Sequence, residues 1–391
     1  MKKILHVITR LDRGGSPEDT LYTCLHLRRQ GLECAVIYGS AELAPENLMK
    51  QAADAGVKFI LAPGLVRSVS PLKDITAFLQ VFSIIKREKP DIIHTHTSKA
   101  GIIGRWAAWL SNSLGLTGAK IVHSTHGHVF YGYYNRFVSS LFVLIEKFTA
   151  AITDRITVLT DNEITETLSY GIGRRGLFTV IHSGIEYRPQ TSGSGLRQKL
   201  SIAQDTVIIG SAGRLDPVKG YVDFVNAAKL VLDKALPGKI VFLLTGDGIQ
   251  MPLVGKMVRE LGISGNFILS GWQNNVEDYI QACDIYVQPS INEGLGKTIL
   301  MAQMLGRPIV ATRVQGIVSL IEHGKTGLLA NPRDPADLAE KIVSLLGDPQ
   351  QKKMLGENAK HWVYETDPLT GNYRFSVEQM NALYSGLYRS L

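Results

Sequence analysis

The sequence predicts an α/β protein of two domains, each built on a parallel sheet, and three observations carry that reading. Short apolar runs rich in β-branched residues alternate with helix-length stretches from Lys3 to His182. The stretch Gly184–Gly195, GIEYRPQTSGSG, then breaks the alternation with glycine, proline and serine. The same alternation resumes at Val207–Gly210 and continues towards the end of the chain. A length of 391 residues is long for one domain and comfortable for two. The expected division is 1–186, 187–369 and an amphipathic C-terminal segment, 370–391.

Composition narrows the class. The hydrophobic share is 45% and the charged share 20%, ordinary for a water-soluble fold. Cys24, Cys34 and Cys283 show no metal-ligand spacing, and so sparse a count suits a reducing compartment. Met-Lys-Lys opens like a secretory leader, but the apolar run Ile4–Ile8 is too short and contains His6. No run of about 18 apolar residues exists to span a bilayer. A cytoplasmic protein is expected. The formal charge of +7 is uneven: residues 1–188 hold 22 Lys and Arg against 16 Asp and Glu, and the remainder 20 against 19. A basic first half suits an anionic partner such as phospholipid headgroups or a lipid pyrophosphate, where the charge is more than an aid to solubility. Nucleic acid is disfavoured, because no Lys/Arg-rich run or recognition motif accompanies the charge.

In chain order, Lys3–Ile8 reads as a strand, followed by a turn at Gly14-Gly15, a helix over Glu18–Gln30 and a strand at Ala35–Tyr38. This βαβ opening implies parallel pairing. A helix at Glu46–Ala55, a strand at Lys58–Leu61, a helix at Leu72–Glu88 and a strand at Ile92–His96 follow. The runs HTHTSKAGIIGRWAAW (94–109) and IVHSTHGHVFYGYY (121–134) place His94, His96, His123, His126 and His128 at strand ends. Residues two apart on a strand share a face, so His94/His96 or His126/His128 are candidate chelators of zinc. No carboxylate or cysteine completes a set, and polar cleft residues or hydrogen-bonded pairs are the competing reading. Phe130, Tyr131, Tyr133 and Tyr134 with Arg136 suit an acceptor or membrane contact. Phe137, Leu141, Leu144 and Phe148 have the spacing of a core-facing helix. Strands at Thr157–Thr160 and Phe178–His182, with a helix at Asp161–Tyr170 between them, close the half.

The second half carries the chemistry. Ile208–Gly220, IIGSAGRLDPVKG, is a strand running into a glycine turn, with Arg214 and Lys219 bracketing Asp216-Pro217. Two cations beside such a turn suit a diphosphate. Further on, Asp284–Thr312 reads strand, turn, helix, strand, with Glu293-Gly294-Leu295-Gly296-Lys297-Thr298 at the helix start. The first N–H groups of a helix lack internal acceptors and its dipole is positive there, so an anion is well placed. Glu293 is either a cap on that helix or a ligand-facing carboxylate. Neither turn is a P-loop, and neither is a full dinucleotide fingerprint. A helix at Tyr221–Lys234, strands at Lys239–Thr245 and Asn266–Ser270, and two helical stretches after Asp334-Pro335 complete the domain.

The elements GRLDPVKG and EGLGKTILMAQMLGRPIVAT resemble the G-x-L-x-x-x-K-G and E-x7-E regions of glycosyltransferase family 4, and the resemblance covers nearly the whole chain. It implies the GT-B architecture: two Rossmann-like domains facing across a cleft, with a C-terminal helix crossing back to the first. It also implies retaining transfer from a UDP- or GDP-linked sugar without metal or further cofactor. On that resemblance, Gly14 and Gly15 form the first glycine loop, Arg214, Lys219 and the backbone of Gly294–Thr298 hold the diphosphate, and Glu293 holds the donor sugar's hydroxyls. His126 matches the histidine that contacts the transferred sugar, and the loop Gly271–Val276 lies beside the base. Ser98-Lys99-Ala100-Gly101 resembles the polysaccharide-assembly branch, which points to a lipid-linked saccharide acceptor at the inner face of the membrane. One position departs: Met301 stands where the second glutamate would receive the ribose hydroxyls, and Thr298 shares its helical face as a substitute. A GT-B epimerase of UDP-sugars and a non-catalytic binding subunit are the alternatives.

Overall fold

The computed structural model describes residues 2–42, 44–68, 70–127, 136–186 and 194–391. Its first unit comprises Met1–Gly184 with Phe375–Leu391, and its second comprises Ile185–Arg374. In the first unit the strands are β1 (Lys3–Arg10), β2 (Glu33–Ser40), β3 (Lys58–Leu61), β4 (Ile92–His96), β5 (Lys120–Ser124), β6 (Arg155–Val158) and β7 (Phe178–Val180). They pair in the order β3-β2-β1-β4-β5-β6-β7, every pair parallel. The second unit has β8 (Val207–Ala212), β9 (Ile240–Thr245), β10 (Phe267–Gly271), β11 (Ile285–Gln288), β12 (Ile309–Thr312) and β13 (Leu328–Ala330). Their order is β10-β9-β8-β11-β12-β13, again all parallel. Strand order reverses beside the first strand of each sheet, between β1 and β4 and between β8 and β11. Side by side at that point, two strands send their following loops to opposite faces, which opens a crevice at their carboxyl ends.

Cores form on both faces of each sheet, as parallel sheets require. In the second unit, Phe224, Phe242 and Phe267 pack within 6.0 Å of one another, centroid to centroid, two pairs edge-on and one stacked. In the first, the C-terminal helix Val377–Ser390 buries Met380, Tyr384, Leu387 and Tyr388 along one face. These join Ile4, Leu21 and Leu27 in a single apolar cluster.

Two readings change. The helix after β1 starts at Gly15, three residues before the expected Glu18, because Gly14 turns the chain at φ 146 and its N–H reaches Glu18 Oε1 at 3.3 Å. The helix Arg136–Ala151 carries its stripe of Phe137, Leu141, Leu144 and Phe148 outward, with Phe137 81% and Phe148 63% exposed. Its inward face packs Val143 and Ala150 into the apolar cluster around Ile156 and Val158 and is tied by polar pairs to the helix Ser98–Ser113. Arg105 bonds both oxygens of Glu146 at 2.8 Å, and Trp106 Nε1 donates to Thr149 Oγ1 at 3.0 Å. The expected contacts at His128, Phe130, Tyr131, Tyr133 and Tyr134 and the linker residues 187–193 lie outside the described residues.

Candidate active site

The loops at the switch point of the second sheet interlock through their backbones. Ile291 N–H, after β11, donates to Val218 O, after β8, at 2.7 Å. Gly220 sits at φ 70, and a Cβ there would lie 1.9 Å from Pro289 O, so only glycine lets the two loops approach. Leu215 N–H donates to Asp247 O at 2.9 Å, which ties in the loop after β9. The loop Gly271–Val276 is tied on in turn, since Gly246 N–H donates to Gly271 O at 2.8 Å. Gly316, after β12, would place a Cβ 2.3 Å from the carbonyls of Glu293 and Gly294. The Glu293–Gly296 turn is thus gripped from both sides.

Within this frame Lys219 Nζ and Glu293 Oε2 meet at 2.7 Å, with side chains 23% and 10% exposed. Two residues that the sequence assigns to different parts of a ligand are therefore one ion pair. Glu293 Oε2 also accepts from Ser290 Oγ at 3.0 Å and Gln288 Nε2 at 3.4 Å. Gln288 has no sequence signal, yet it joins both sides of the turn: its Oε1 accepts from Tyr286 Oη at 2.9 Å and from Thr298 Oγ1 at 3.0 Å. Thr298 therefore gives its hydroxyl proton to the strand end and keeps its oxygen lone pairs as acceptors. Arg214 Nε pairs with Asp216 Oδ2 at 2.8 Å and keeps much of its guanidinium exposed. Gly296, at φ 90, opens the helix Lys297–Met304, with Gly294 and Leu295 before it and a half-buried Met301 one turn in.

The first unit gathers histidines at its own switch point. Gly14 and Gly15 follow β1. His94 and His96 lie on β4, and His126, at φ 53, occupies the turn after β5. Thr125, the residue before it, is fixed by its hydroxyl to Glu163. His96 Nδ1 meets His126 Nε2 at 3.0 Å, and His96 Nε2 meets His6 Nδ1 at 2.9 Å. His94 is bonded through Nδ1 to Tyr388 Oη at 2.5 Å and through Nε2 to Ser124 Oγ at 2.7 Å. Burial, and then the neighbouring histidines, hold His94 and His96 well below the usual imidazole range, so both are neutral. His6, His94 and His96 bring nitrogens within 4.8 Å of one another, but hydrogen bonds occupy every nitrogen of His94 and His96. Cys24 and Cys34, which show no ligand spacing in sequence, converge on His6 at the same range. Burial pushes both thiols up; at Cys34 the hydrogen bond from Cys24 and the His6 beside it outweigh burial and lower it. His6, hidden in the apolar run of β1, is the member sequence reasoning missed.

Residues 195–362 match the family Glycosyl transferases group 1, and residues 13–188 match Glycosyltransferase Family 4. The chain is 30% identical over 302 residues to the UDP-Gal:alpha-D-GlcNAc-diphosphoundecaprenol alpha-1,3-galactosyltransferase of Escherichia coli, covering 75% of this chain and 76% of that one. The chain belongs to glycosyltransferase family 4. This glycosyltransferase also shares its fold with HepE of Anabaena in a complex with UDP, at a TM-score of 0.78 and 22% identity over 100% of both chains. It resembles a second relative, N-acetyl-alpha-D-glucosaminyl L-malate synthase of Bacillus anthracis, at 27% identity over 329 residues, 81% of this chain and 79% of that one. The enzyme has the GT-B fold, two Rossmann-like parallel-sheet domains. Among its described residues no helix is long and apolar enough to cross a membrane.

Proposed function

We propose that the enzyme moves a hexose, with retention, from a UDP-linked donor to a saccharide carried on a lipid diphosphate, in the assembly of a surface polysaccharide. The observation that carries the reading is the Lys219–Glu293 pair, held between two glycine turns at the carboxyl ends of β8 and β11. In this reading Lys219, Arg214 and the N–H groups of Gly294–Thr298 stabilise the charge that grows on the leaving diphosphate, with no metal required. Glu293 accepts hydrogen bonds from the donor sugar's hydroxyls, His126 contacts that sugar, and Gly14 and Gly15 lie against donor phosphate and acceptor. The choice of UDP and of a lipid-diphosphate acceptor follows the Escherichia coli relative's own substrates.

Met301 sharpens the test. A thioether there forgoes the charge-assisted bonds that a glutamate makes to ribose hydroxyls, each contributing about 1.5–3 kcal/mol. UDP is expected to raise the melting temperature of the wild type with or without Mg²⁺, and GDP and ADP to leave it unchanged. Met301→Glu should tighten UDP binding about tenfold or more. No shift with any nucleotide would sink the donor assignment; a shift with GDP alone would reassign the base.

A lipid-borne acceptor also fits the outward stripe of the helix Arg136–Ala151. Phe137, Leu141, Leu144 and Phe148 form an apolar face on the more basic half of the chain, the pattern of a helix lying in a membrane interface. Each such side chain contributes about 1.5–3 kcal/mol when buried. Leu141→Ser with Phe148→Ser is expected to weaken binding to anionic vesicles by about tenfold or more and to leave UDP binding intact. Unchanged vesicle binding would exclude this face.

A further inference from the structure

Asp216 lies in the chain between the two cations of the second unit, Arg214 and Lys219, and a carboxylate there needs a reason. It subtracts positive charge from a place where a diphosphate is to be held. It is also 7% exposed, so it gives up most of its hydration. Capping does not supply the reason. Asp216 is the N-cap of the short helix Pro217–Lys219, where an aspartate commonly accepts from the first N–H groups, yet its side chain caps nothing. Its Oδ2 is turned to Arg214 Nε instead, at 2.8 Å.

That bond uses the guanidinium in a particular way. Arginine carries five N–H donors, one on Nε and four on the two Nη atoms. Among the described residues only the Nε donor is taken, and the Arg214 side chain is 44% exposed. The four Nη donors, whose planar fork matches phosphate oxygens, stay open. Asp216 also sets the second cation through its main chain, since Lys219 N–H donates to Asp216 O at 2.9 Å. Without Oδ2 the long Arg214 side chain would regain its rotamer freedom, because no other hydrogen bond among the described residues restrains its guanidinium.

We infer that Asp216 is a positioning residue: it holds Arg214 by Nε and leaves both Nη groups to the leaving diphosphate. The inference deepens the proposed role of Arg214 and rests on it for its functional meaning. It implies a split between binding and turnover. A freed Arg214 still attracts the diphosphate but no longer meets it in one geometry, and the lost carboxylate no longer repels the nucleotide's negative charge.

Asp216→Ala should therefore lower kcat by about 10²-fold, the scale of a misplacement of about 1 Å, with UDP bound at least as tightly as by the wild type in titration calorimetry. Asp216→Asn, whose amide oxygen still accepts from Nε–H, should recover most of the turnover and keep that affinity. In an Arg214→Ala background, Asp216→Ala should cost nothing further, since it acts through the group already removed. Losses that multiply in the double variant, or UDP affinity that falls in step with kcat in Asp216→Ala, would overturn the inference. Nitrogen-15 NMR of arginine-labelled enzyme tests the contact apart from activity. The Arg214 Nε–H should resist exchange with water in the wild type and exchange freely in Asp216→Ala; free exchange in the wild type would overturn the inference too. Full activity in Arg214→Ala would instead remove the diphosphate assignment, and the NMR comparison would still decide whether Asp216 holds Arg214.

Discussion

Lys219→Ala is expected to lower kcat/KM for sugar transfer by about 10²–10³-fold, the loss typical of removing one group that stabilises charge developing in a transition state. The structure gives the loss two parts. The first is the missing cation beside the leaving diphosphate. The second is Glu293, whose side chain is 10% exposed and whose Oε2 lies 2.7 Å from the ammonium. Without Lys219 that carboxylate faces an incoming dianion with no neutralising partner but hydroxyl and amide donors. Nucleotide affinity should therefore fall along with turnover. Adding Glu293→Gln separates the parts: the double variant should regain UDP affinity, measured by titration calorimetry, and should not regain turnover. Residues in direct contact are expected to behave non-additively in this way. Lys219→Ala with unaltered kcat/KM would remove Lys219 from the diphosphate site. A double variant whose losses simply add would mean that the pair does not act as a unit.

The parts of this site that could be read in sequence are those whose chemistry is local. Gly213–Gly220 and Glu293–Thr298 announce themselves because a tight turn demands glycine within a few residues of the strand that feeds it. Their cations and carboxylate lie in the same stretch. The ion pair between Lys219 and Glu293 was not legible, because it depends on β8 and β11 being neighbours at the reversal of strand order, 74 residues apart in the chain. Gln288 was missed for a related reason: a glutamine at the end of a buried strand carries no periodic signal, and its value comes only from Tyr286, Ser290, Glu293 and Thr298 converging on it. His6 was masked by its setting, one imidazole inside an apolar strand, where a single polar residue reads as an exception rather than a member of a set. The helix Arg136–Ala151 shows the opposite failure. Its apolar spacing at 137, 141, 144 and 148 marks a face, but spacing alone does not say whether protein covers it. Arg105, Trp106, Glu146 and Thr149 decided that the other face turns inward.

That polar seam carries the second large effect, this time on stability. Arg105 is 0% exposed; its Nη2 donates to both oxygens of Glu146 at 2.8 Å and its Nε donates to the Gly101 carbonyl at 2.9 Å. Glu146 is 12% exposed. A buried ion pair adds little net stability over well-packed apolar side chains, because desolvation offsets most of the attraction. Removing one member is a different matter, since the survivor keeps its desolvation cost and loses its partner. Arg105→Ala should therefore destabilise the first unit by about 3–5 kcal/mol, a fall of roughly 10 °C in its melting midpoint. Arg105→Met with Glu146→Leu should recover most of that, because no charge is then stranded and the volume is refilled. Urea unfolding of the three proteins followed by fluorescence of Trp106 and its neighbours measures the difference. A single variant as stable as the wild type would mean that water reaches Glu146 and that the seam is solvated. A double variant as unstable as the single would mean that the apolar replacements do not pack there. The seam matters beyond stability because it fixes the helix that turns Phe137, Leu141, Leu144 and Phe148 outward. Arg105→Ala is thus expected to weaken vesicle binding as well, while the UDP affinity of the second unit, which contains none of these residues, stays as it was.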